Sequence, residues 1–238
     1  MIRLEQVSVA YEPGAPVLRA VSFTINDGEA VGLIGANGAG KSTLLKALLG
    51  LLPHQGRIWV DELELNKQNL KEIRRRLGFV LQDSDDQMFM PTVYEDMMFA
   101  PLNYGMDRAE AESRVDVVLE QLGLTALKHR HNHKISGGEK RMAAIATVLA
   151  MDPAALLMDE PTAALDPCNR RLVINTIRAL PNTRLITSHD LDMILDTCQR
   201  VIVLSEGGVV ADGPAETILR DKVLLEANRL ELPLRLSH

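Results

Sequence analysis

Apolar and polar positions set two rhythms along this chain. Near its start they partly alternate, in VSVAY (Val7–Tyr11) and AVSFTI (Ala20–Ile25), with the turn-forming EPGAP between them. That pattern predicts two short strands. Continuous apolar runs then recur: EAVGLIG (Glu29–Gly35), GRIWV (Gly56–Val60), LGFVL (Leu77–Leu81), AALLM (Ala154–Met158), TRLIT (Thr183–Thr187) and RVIVL (Arg200–Leu204). Each has the length of a buried strand. Helical patterns separate several of them. KSTLLKALLGLL (Lys41–Leu52) is expected to end near Pro53, and PCNRRLVINTIRAL (Pro167–Leu180) precedes TRLIT. Strand, helix, strand in this order predicts an α/β fold with a largely parallel central sheet.

Between about Gln82 and Asp152 the pattern changes to helices without strands, the mark of a helical lobe inserted into the α/β core. Asp107 with Glu110 is placed to cap a helix whose Ala111, Val115, Val118, Leu119 and Leu122 share one face, and Gly123 ends it. Thr92 and Glu95 form another cap, Tyr94, Met97 and Met98 share a helical face, and Pro101 should limit that helix. The span Leu81–Met106 holds five of the ten methionines and four of the eight aromatic residues, threaded with Asp83, Asp85 and Asp86. Such side chains adapt to partners and are enriched at interfaces, so the segment as a whole predicts a docking surface. Phe99 and part of the methionines could equally pack the lobe. The acids could meet basic residues of a partner, or be a solvated turn.

Composition narrows the classes. With 238 residues, 46% hydrophobic and 24% charged, the chain can build a substantial core in one large domain or a core with a smaller lobe. A net charge of −6 speaks against nucleic acid as the main partner, because phosphate neutralisation supplies most non-specific affinity there. Cys168 and Cys198 show no short pairing pattern, which fits a reducing cytosol. The opening MIRLEQVSVAYEPG lacks a basic segment followed by an apolar one, so no signal peptide is expected. The best apolar stretch, Met142–Met151, is half of the roughly 20 residues that span a bilayer. Work at a membrane would need another chain to cross it.

Candidate chemistry begins at GANGAGKST, Gly35–Thr43, which fits G-x-x-x-x-G-K-[ST] and sits after a predicted strand and before a predicted helix. Its glycines allow backbone N–H groups to close around phosphate oxygens, and the helix N-terminus adds a favourable dipole. Lys41 would reach the β- and γ-phosphates and Ser42 would ligate Mg²⁺. AALLMDE ends an apolar strand in Asp159 and Glu160, and a buried strand should not end in paired carboxylates without cations or solvent nearby. Asp159 suits a Mg²⁺ role, Glu160 the polarising of a water in line with the γ-phosphate. In ISGGEKRMAAIA, Ser136 and Glu139 form an S-x-x-E capping box. Gly137 and Gly138 then occupy the first helical turn, where each sacrifices about 1 kcal/mol of propensity relative to alanine. Bare backbone at a helix start is what an anion needs for close approach. His129–His133 (HRHNH) lacks nearby cysteines or carboxylates and reads as a loop.

These residues carry a family resemblance. The chain resembles an ATP-binding-cassette (ABC) ATPase: Gly35–Thr43 matches the Walker A loop, Ser136–Lys140 the signature and LLMDEP the Walker B strand. Ala163–Asp166 is similar to the D-loop, Gln82 and His189 hold the Q-loop and H-loop positions, and Tyr11 matches the adenine-stacking aromatic. The resemblance implies a P-loop NTPase core with a mostly parallel central sheet, an N-terminal antiparallel β part and an inserted helical lobe, at about residues 83–152 of an ATPase domain 1–220, with a tail 221–238. It implies ATP and Mg²⁺ as cofactors. Tyr11, Gly35, Asn37, Gly38, Gly40, Lys41, Ser42 and Thr43 would bind nucleotide, together with Ser136, Gly137, Gly138, Glu139 and Asp166 of a second cassette. Ser42, Gln82 and Asp159 would hold the metal; Glu160, His189 and Gln82 would serve hydrolysis. Ile135 and Glu139 depart mildly from the commonest signature.

The run QDSDDQMFMPTVYEDMMFAPLNYGM, with GGVVADGPAETIL and LLEANRLELPLRL, is similar to the energy-coupling factor (ECF) branch, especially its cobalt/nickel importers. That implies a peripheral ATPase at the cytoplasmic face of the cell membrane, partnered by a transmembrane scaffold, a membrane substrate-binding subunit and a second ATPase subunit, identical or paralogous. An ECF vitamin importer or another ABC importer is the nearest alternative. A soluble ABC ATPase acting on DNA or ribosomes would normally show coiled-coil insertions, tandem cassettes or basic surfaces. A nucleotide kinase would leave Ser136–Glu139 idle.

Overall fold

The computed structural model describes residues 1–12 and 14–237. Strands β1 (Ile2–Glu12), β2 (Ala15–Ile25), β4 (Gln55–Val60) and β5 (Leu63–Glu64) make an antiparallel sheet in the order β2-β1-β4-β5. A second, central sheet runs β10-β9-β3-β8-β7-β6, from β3 (Ala30–Ile34), β6 (Leu77–Val80), β7 (Ala155–Asp159), β8 (Thr183–Thr187), β9 (Arg200–Ser205) and β10 (Gly208–Pro214). All its neighbours are parallel except β10 on β9. β3, β7 and β8 are buried at every position, which explains their continuous apolar runs.

Helices cover both faces. α1 (Lys41–Leu48) follows β3, and its Leu44, Leu45 and Leu48 pack with Val31 and Leu33 beneath the antiparallel sheet. α2 (Leu70–Arg76) precedes β6. The opposite face, where Ile34 and Met158 point, meets a second core from the lobe and later helices. Those are α3 (Ser84–Gln87), α4 (Val93–Asn103), α5 (Arg108–Gln121) and α6 (Gly137–Leu149), then α7 (Pro167–Ala179), α8 (Leu191–Thr197), α9 (Ala215–Ile218) and α10 (Lys222–Ala227). No described helix is long and apolar enough to cross a membrane.

Several expectations change in detail. α1 stops at Leu48 rather than near Pro53, because Gly50 takes the left-handed φ of 61° that reverses the chain. Pro101 lies inside α4, which runs on to Asn103; the ladder resumes with Tyr104 N–H to Ala100 O, 3.0 Å. Only Met97's carbonyl loses its helical donor, and Pro101 is buried in the lobe. The Leu81–Met106 segment is not one apolar surface. Met88, Met97 and Met98 are buried in the lobe core with Tyr94 half-buried beside them, whereas Phe89 and Phe99 are exposed. α4 packs between α5 and α6, so two adjacent methionines can both be enclosed. The Thr92 cap forms, with its Oγ accepting from Glu95 N–H at 3.3 Å and donating to the Glu95 carboxylate at 2.7 Å. Asp107 caps α5 through Ala109 N–H at 2.9 Å, and four of the five predicted face residues are buried.

Candidate functional site

The turn from β3 into α1 has no side-chain cap: Gly40 is the cap residue, at φ 105°. A Cβ on Gly40 would meet the Leu18 side chain at 2.6 Å, so glycine serves both the backbone angle and the packing. The first-turn N–H groups of α1 therefore remain available to an anion. They face a cavity of about 720 Å³ lined by Asn37–Thr43, Gln82, Asp159, Glu160, Thr162, Ala163, His189 and Asp190.

Lys41 is buried, with Nζ donating to Gly35 O at 2.7 Å and Ala36 O at 3.3 Å and lying 3.3 Å from His189 Nε2. Burial pushes its pKa below the ordinary lysine value, while Glu160 and Asp159 pull the other way. Across the cavity, β7 ends in Asp159, whose Oδ1 accepts from Thr187 Oγ at 2.5 Å. The other Asp159 oxygen takes no protein hydrogen bond among the described residues. The Ser42 hydroxyl and the Gln82 amide line the same cavity, and oxygen donors of these kinds suit a hard divalent cation.

Glu160 has a left-handed φ of 46°, strain that β7 and β8 hold in place through Glu160 N–H to Thr187 O, 3.0 Å. Its Oε2 accepts from Ser188 Oγ at 3.2 Å and from His189 N–H at 3.1 Å. Oε1 is buried without a hydrogen-bond partner, 3.5 Å from His189 Nε2. A buried carboxylate oxygen with its acceptor capacity unfilled is suited to take a proton from a water in the cavity.

Gln82 is held from the lobe. Arg141 of α6 donates to the carbonyls of Leu81, at 2.7 Å, and of Gln82 itself. Tyr11 is exposed, with its hydroxyl 3.2 Å from Thr43 Oγ. Thus Asn37, Gly38, Gly40, Lys41, Ser42, Thr43, Gln82, Asp159, Glu160 and His189 converge on one cavity, with Gly35 behind it and Tyr11 beside it.

The remaining predicted residues gather elsewhere. Ser136 closes the predicted capping box on α6, Glu139 N–H to Ser136 Oγ at 3.2 Å and Ser136 N–H to Glu139 Oε2 at 2.7 Å. The Ser136 backbone N–H, then its hydroxyl, hold the Glu139 carboxyl below the usual range. Gly137 lines a depression that adjoins Ser42, Gln82 and Asp159. Gly138 has a different reason for lacking a side chain: a Cβ there would lie 2.1 Å from Asn169 Cγ. Asp166 caps α7 through Cys168 and Asn169 N–H groups, at 2.9 and 3.1 Å. Ser136, Gly138, Glu139 and Asp166 line no part of the cavity that Lys41 and Glu160 face. His129–His133 forms a loop with a single turn of 3₁₀ helix, His129 lying against Tyr94.

Sequence reasoning missed Thr187, Ser188 and Arg141. The first two stand beside His189 in LITSHD. The third is a guanidinium entering an apolar helical run, a signal in itself, since a buried charge needs partners.

Comparison with known proteins gives this geometry a setting. The family model described as ABC transporter matches residues 18–163. A protein of Geobacter sulfurreducens described as an ABC transporter ATP-binding protein is 47% identical over 238 residues, all of this chain and 96% of that one. The energy-coupling factor transporter ATP-binding protein EcfA of Methanothermobacter thermautotrophicus is 41% identical, over 98% of this chain and 77% of that one. Among solved structures, cbiO1 of Clostridium perfringens, described as part of the ABC transporter complex cbiONQ, aligns with TM-score 0.84 and 33% identity, covering 98% and 95% of the two chains. The dimeric cassette MJ0796 in a post-hydrolysis state with ADP and Pi aligns with TM-score 0.79 and 27% identity, covering 90% and 99%.

Proposed function

The chain belongs to the ABC transporter family, as an ATP-hydrolysing subunit, and from that premise we propose that it drives an ECF-type importer of a trace metal, cobalt or nickel. The observation that carries the hydrolytic half is the convergence of Lys41, Asp159, Glu160 and His189 on one cavity. Asn37, Gly38, Gly40 and Thr43 close around the phosphates of ATP, with Gly35 at the base of the loop. Lys41 exchanges the Gly35 and Ala36 carbonyls for β- and γ-phosphate oxygens, and Tyr11 stacks on the base. Ser42, Asp159 and Gln82 hold Mg²⁺, which when bound offsets phosphate charge. Glu160 Oε1 takes the proton of the attacking water, and His189 contacts the γ-phosphate while its N–H fixes Glu160.

The Ser136–Glu139 segment and Asp166 lie outside that cavity, and a second cassette, the same chain or a paralogue, brings its own copies to complete the site. The dimeric form of the MJ0796 cassette supports this arrangement. Within the chain, residues 1–220 form the ATPase domain and 221–238 its tail.

The importer half rests on the lobe. Phe89 and Phe99, 4.9 Å apart edge to face, stand over a groove of about 200 Å³ with Phe79, Tyr104, Met151 and the Arg74–Arg75 pair along its walls. This groove receives a short helix of a transmembrane scaffold, which a membrane substrate-binding subunit accompanies. The chain then lies peripherally on the cytoplasmic face, with no nucleic-acid partner. The similarity to EcfA and cbiO1 supports that branch; an ECF vitamin importer is the second reading, since the solute is chosen by membrane subunits.

Two measurements test the proposal. Glu160→Gln should keep ATP binding, slow turnover strongly and accumulate a MgATP-bound dimer; turnover at the parent rate rules out Glu160 as the base. Gentle solubilisation from the native host should co-purify a scaffold and a small hydrophobic subunit, whereas recovery with ribosomal or DNA-bound proteins alone ends the transporter reading.

A further inference from the structure

The segment that follows α10 is tied to one acid in a way that its own packing does not require. Leu230 and Leu232 rest on the main core and Pro233 is buried, which is enough to seat the segment. Yet Asp192, the second residue of α8, gives both carboxylate oxygens to it: Leu234 N–H donates to Oδ2 at 2.9 Å, Arg235 N–H and Nε to Oδ1 at 3.2 Å each. The Arg235 guanidinium also pairs with Asp196, one turn on, at 2.8 Å. The Arg235 side chain is 47% exposed, and such a pair is typically worth only about 0–1 kcal/mol of stability.

What the contact does instead is fix the first turn of α8, immediately after His189. Besides the Asp190 cap on Met193 N–H and the Asp190 N–H bond to Ser188 Oγ, both 3.0 Å, that loop is already held from two sides. His189 N–H donates to Glu160, and Asp190 accepts a two-pronged contact from Arg170 of α7, at 2.5 and 2.8 Å. Asp192 adds a third, from a different direction. A cleft of about 1020 Å³ lies between α7, α8 and residues 229–235, and His189 and Asp190 form part of its wall. α8 itself is seated by buried Met193 and Ile194, so the Asp192 contact bears on the fine placement of its first turn and of His189 just before it.

We propose that Arg235, acting through Asp192, is a positioning residue for His189, so that the segment beyond α10 sets the rate of ATP hydrolysis. The inference rests on the reading of His189 as the γ-phosphate contact. Misplacing a group by about 1 Å can cost up to about a hundredfold in rate, so a smaller displacement of His189 should cost about tenfold.

The test is steady-state ATPase of the full chain with MgATP, beside ATP affinity and thermal unfolding. Arg235→Ala is expected to lower kcat about tenfold while KM for ATP stays within about twofold. Arg235→Lys should recover most of the rate, because it restores the pairing with Asp192 and Asp196. Asp192→Ala, which also frees the Leu234 and Arg235 backbone N–H groups that Arg235→Ala leaves bound, should lose at least as much, and the Asp192→Ala/Arg235→Ala double variant should be no slower than Asp192→Ala alone, as residues acting in one chain of contacts are. His189→Ala separates the two claims. If it leaves kcat intact, the reading of the site fails. If it abolishes kcat while Arg235→Ala turns over like the parent, the positioning role fails. A fall in Arg235→Ala that tracks a lowered melting temperature and that lysine does not rescue would mark the contact as merely structural and overturn the proposal.

Discussion

Gly137 and Gly138 stand side by side in the first turn of α6, and alanine should act oppositely at the two. At Gly137 a Cβ would meet nothing within 4 Å, and its backbone is not left-handed. Gly137→Ala should then gain up to about 1 kcal/mol of helix propensity, which for a chain of this size raises the melting temperature by about 2–4 °C. At Gly138 the added atom would lie 2.1 Å from Asn169 Cγ and 2.2 Å from its Oδ1. Carbon contacts are comfortable at about 3.5–4.0 Å, so Asn169 must rotate and release Asp166, which its Nδ2 now reaches at 2.5 Å. Overpacking of that kind costs about 1–3 kcal/mol. It exceeds the same propensity gain, leaving Gly138→Ala about 1 kcal/mol less stable and melting about 2–4 °C lower. Thermal unfolding of the two variants under one buffer reads the difference directly. Turnover reads the rest: if the proposed composite site is right, a methyl at 137 meets the phosphate held by a second cassette, so Gly137→Ala should be more stable yet slower. If both variants melt higher, the packing of α7 on α6 is not the reason for Gly138. If Gly137→Ala is stabilised with unchanged turnover, the composite site is wrong.

Phe89→Ala with Phe99→Ala should leave the basal ATPase of the isolated chain within about twofold, since neither touches the nucleotide cavity, yet abolish co-purification with membrane partners, because buried aromatic anchors dominate interfaces. Retention of the partners would dismiss the groove. Thr187→Val removes the donor 2.5 Å from buried Asp159 and should cost about 1.5–3 kcal/mol of stability, the usual worth of a hydrogen bond to a charged group. It should also raise the Mg²⁺ concentration needed for half-maximal turnover; an unchanged Mg²⁺ profile would free Asp159 of that role. The depressed pKa of Glu139 means that the unfolded chain binds the proton more readily. Its stabilisation is therefore complete above the ordinary glutamate range and is lost as pH falls through the folded value. Glu139→Gln should flatten the acid side of the stability–pH curve; an identical slope would show that the capping box carries no charge effect.

Much of the nucleotide site was legible because it is local. Gly35–Thr43 packs loop, cap and lysine into one contiguous stretch, and the Ser136–Glu139 box announces a helix start from four letters. What stayed hidden depends on distant segments. That Gly138 is bare for Asn169's sake, and not only for an anion, requires α7 to lie against α6. That Met97 and Met98 face inward while Phe99 does not depends on α5 and α6 flanking α4. β10 (GVVADGP) has no fully buried position and alternates only weakly, as an edge strand does. α2 buries Ile73 alone, too little for a periodic signal. Asn132, buried against Asp96 and Met90 O, sits in a histidine-rich stretch that drew attention to the wrong side chains.

The strand order also dictates when the molecule can be assembled. β3, which delivers the phosphate loop, has only β8 and β9 as neighbours, and both are encoded after the whole lobe and after Asp159 and Glu160. A ribosome releasing this chain at about 5–20 residues per second exposes the phosphate loop early, with the antiparallel sheet beside it but none of the parallel strands that flank β3. The lobe helices, by contrast, are contiguous and can condense as they emerge. Nucleotide binding is thus acquired late in synthesis, and a message cut before β8 yields a product that carries the loop's sequence but neither parallel neighbour of β3.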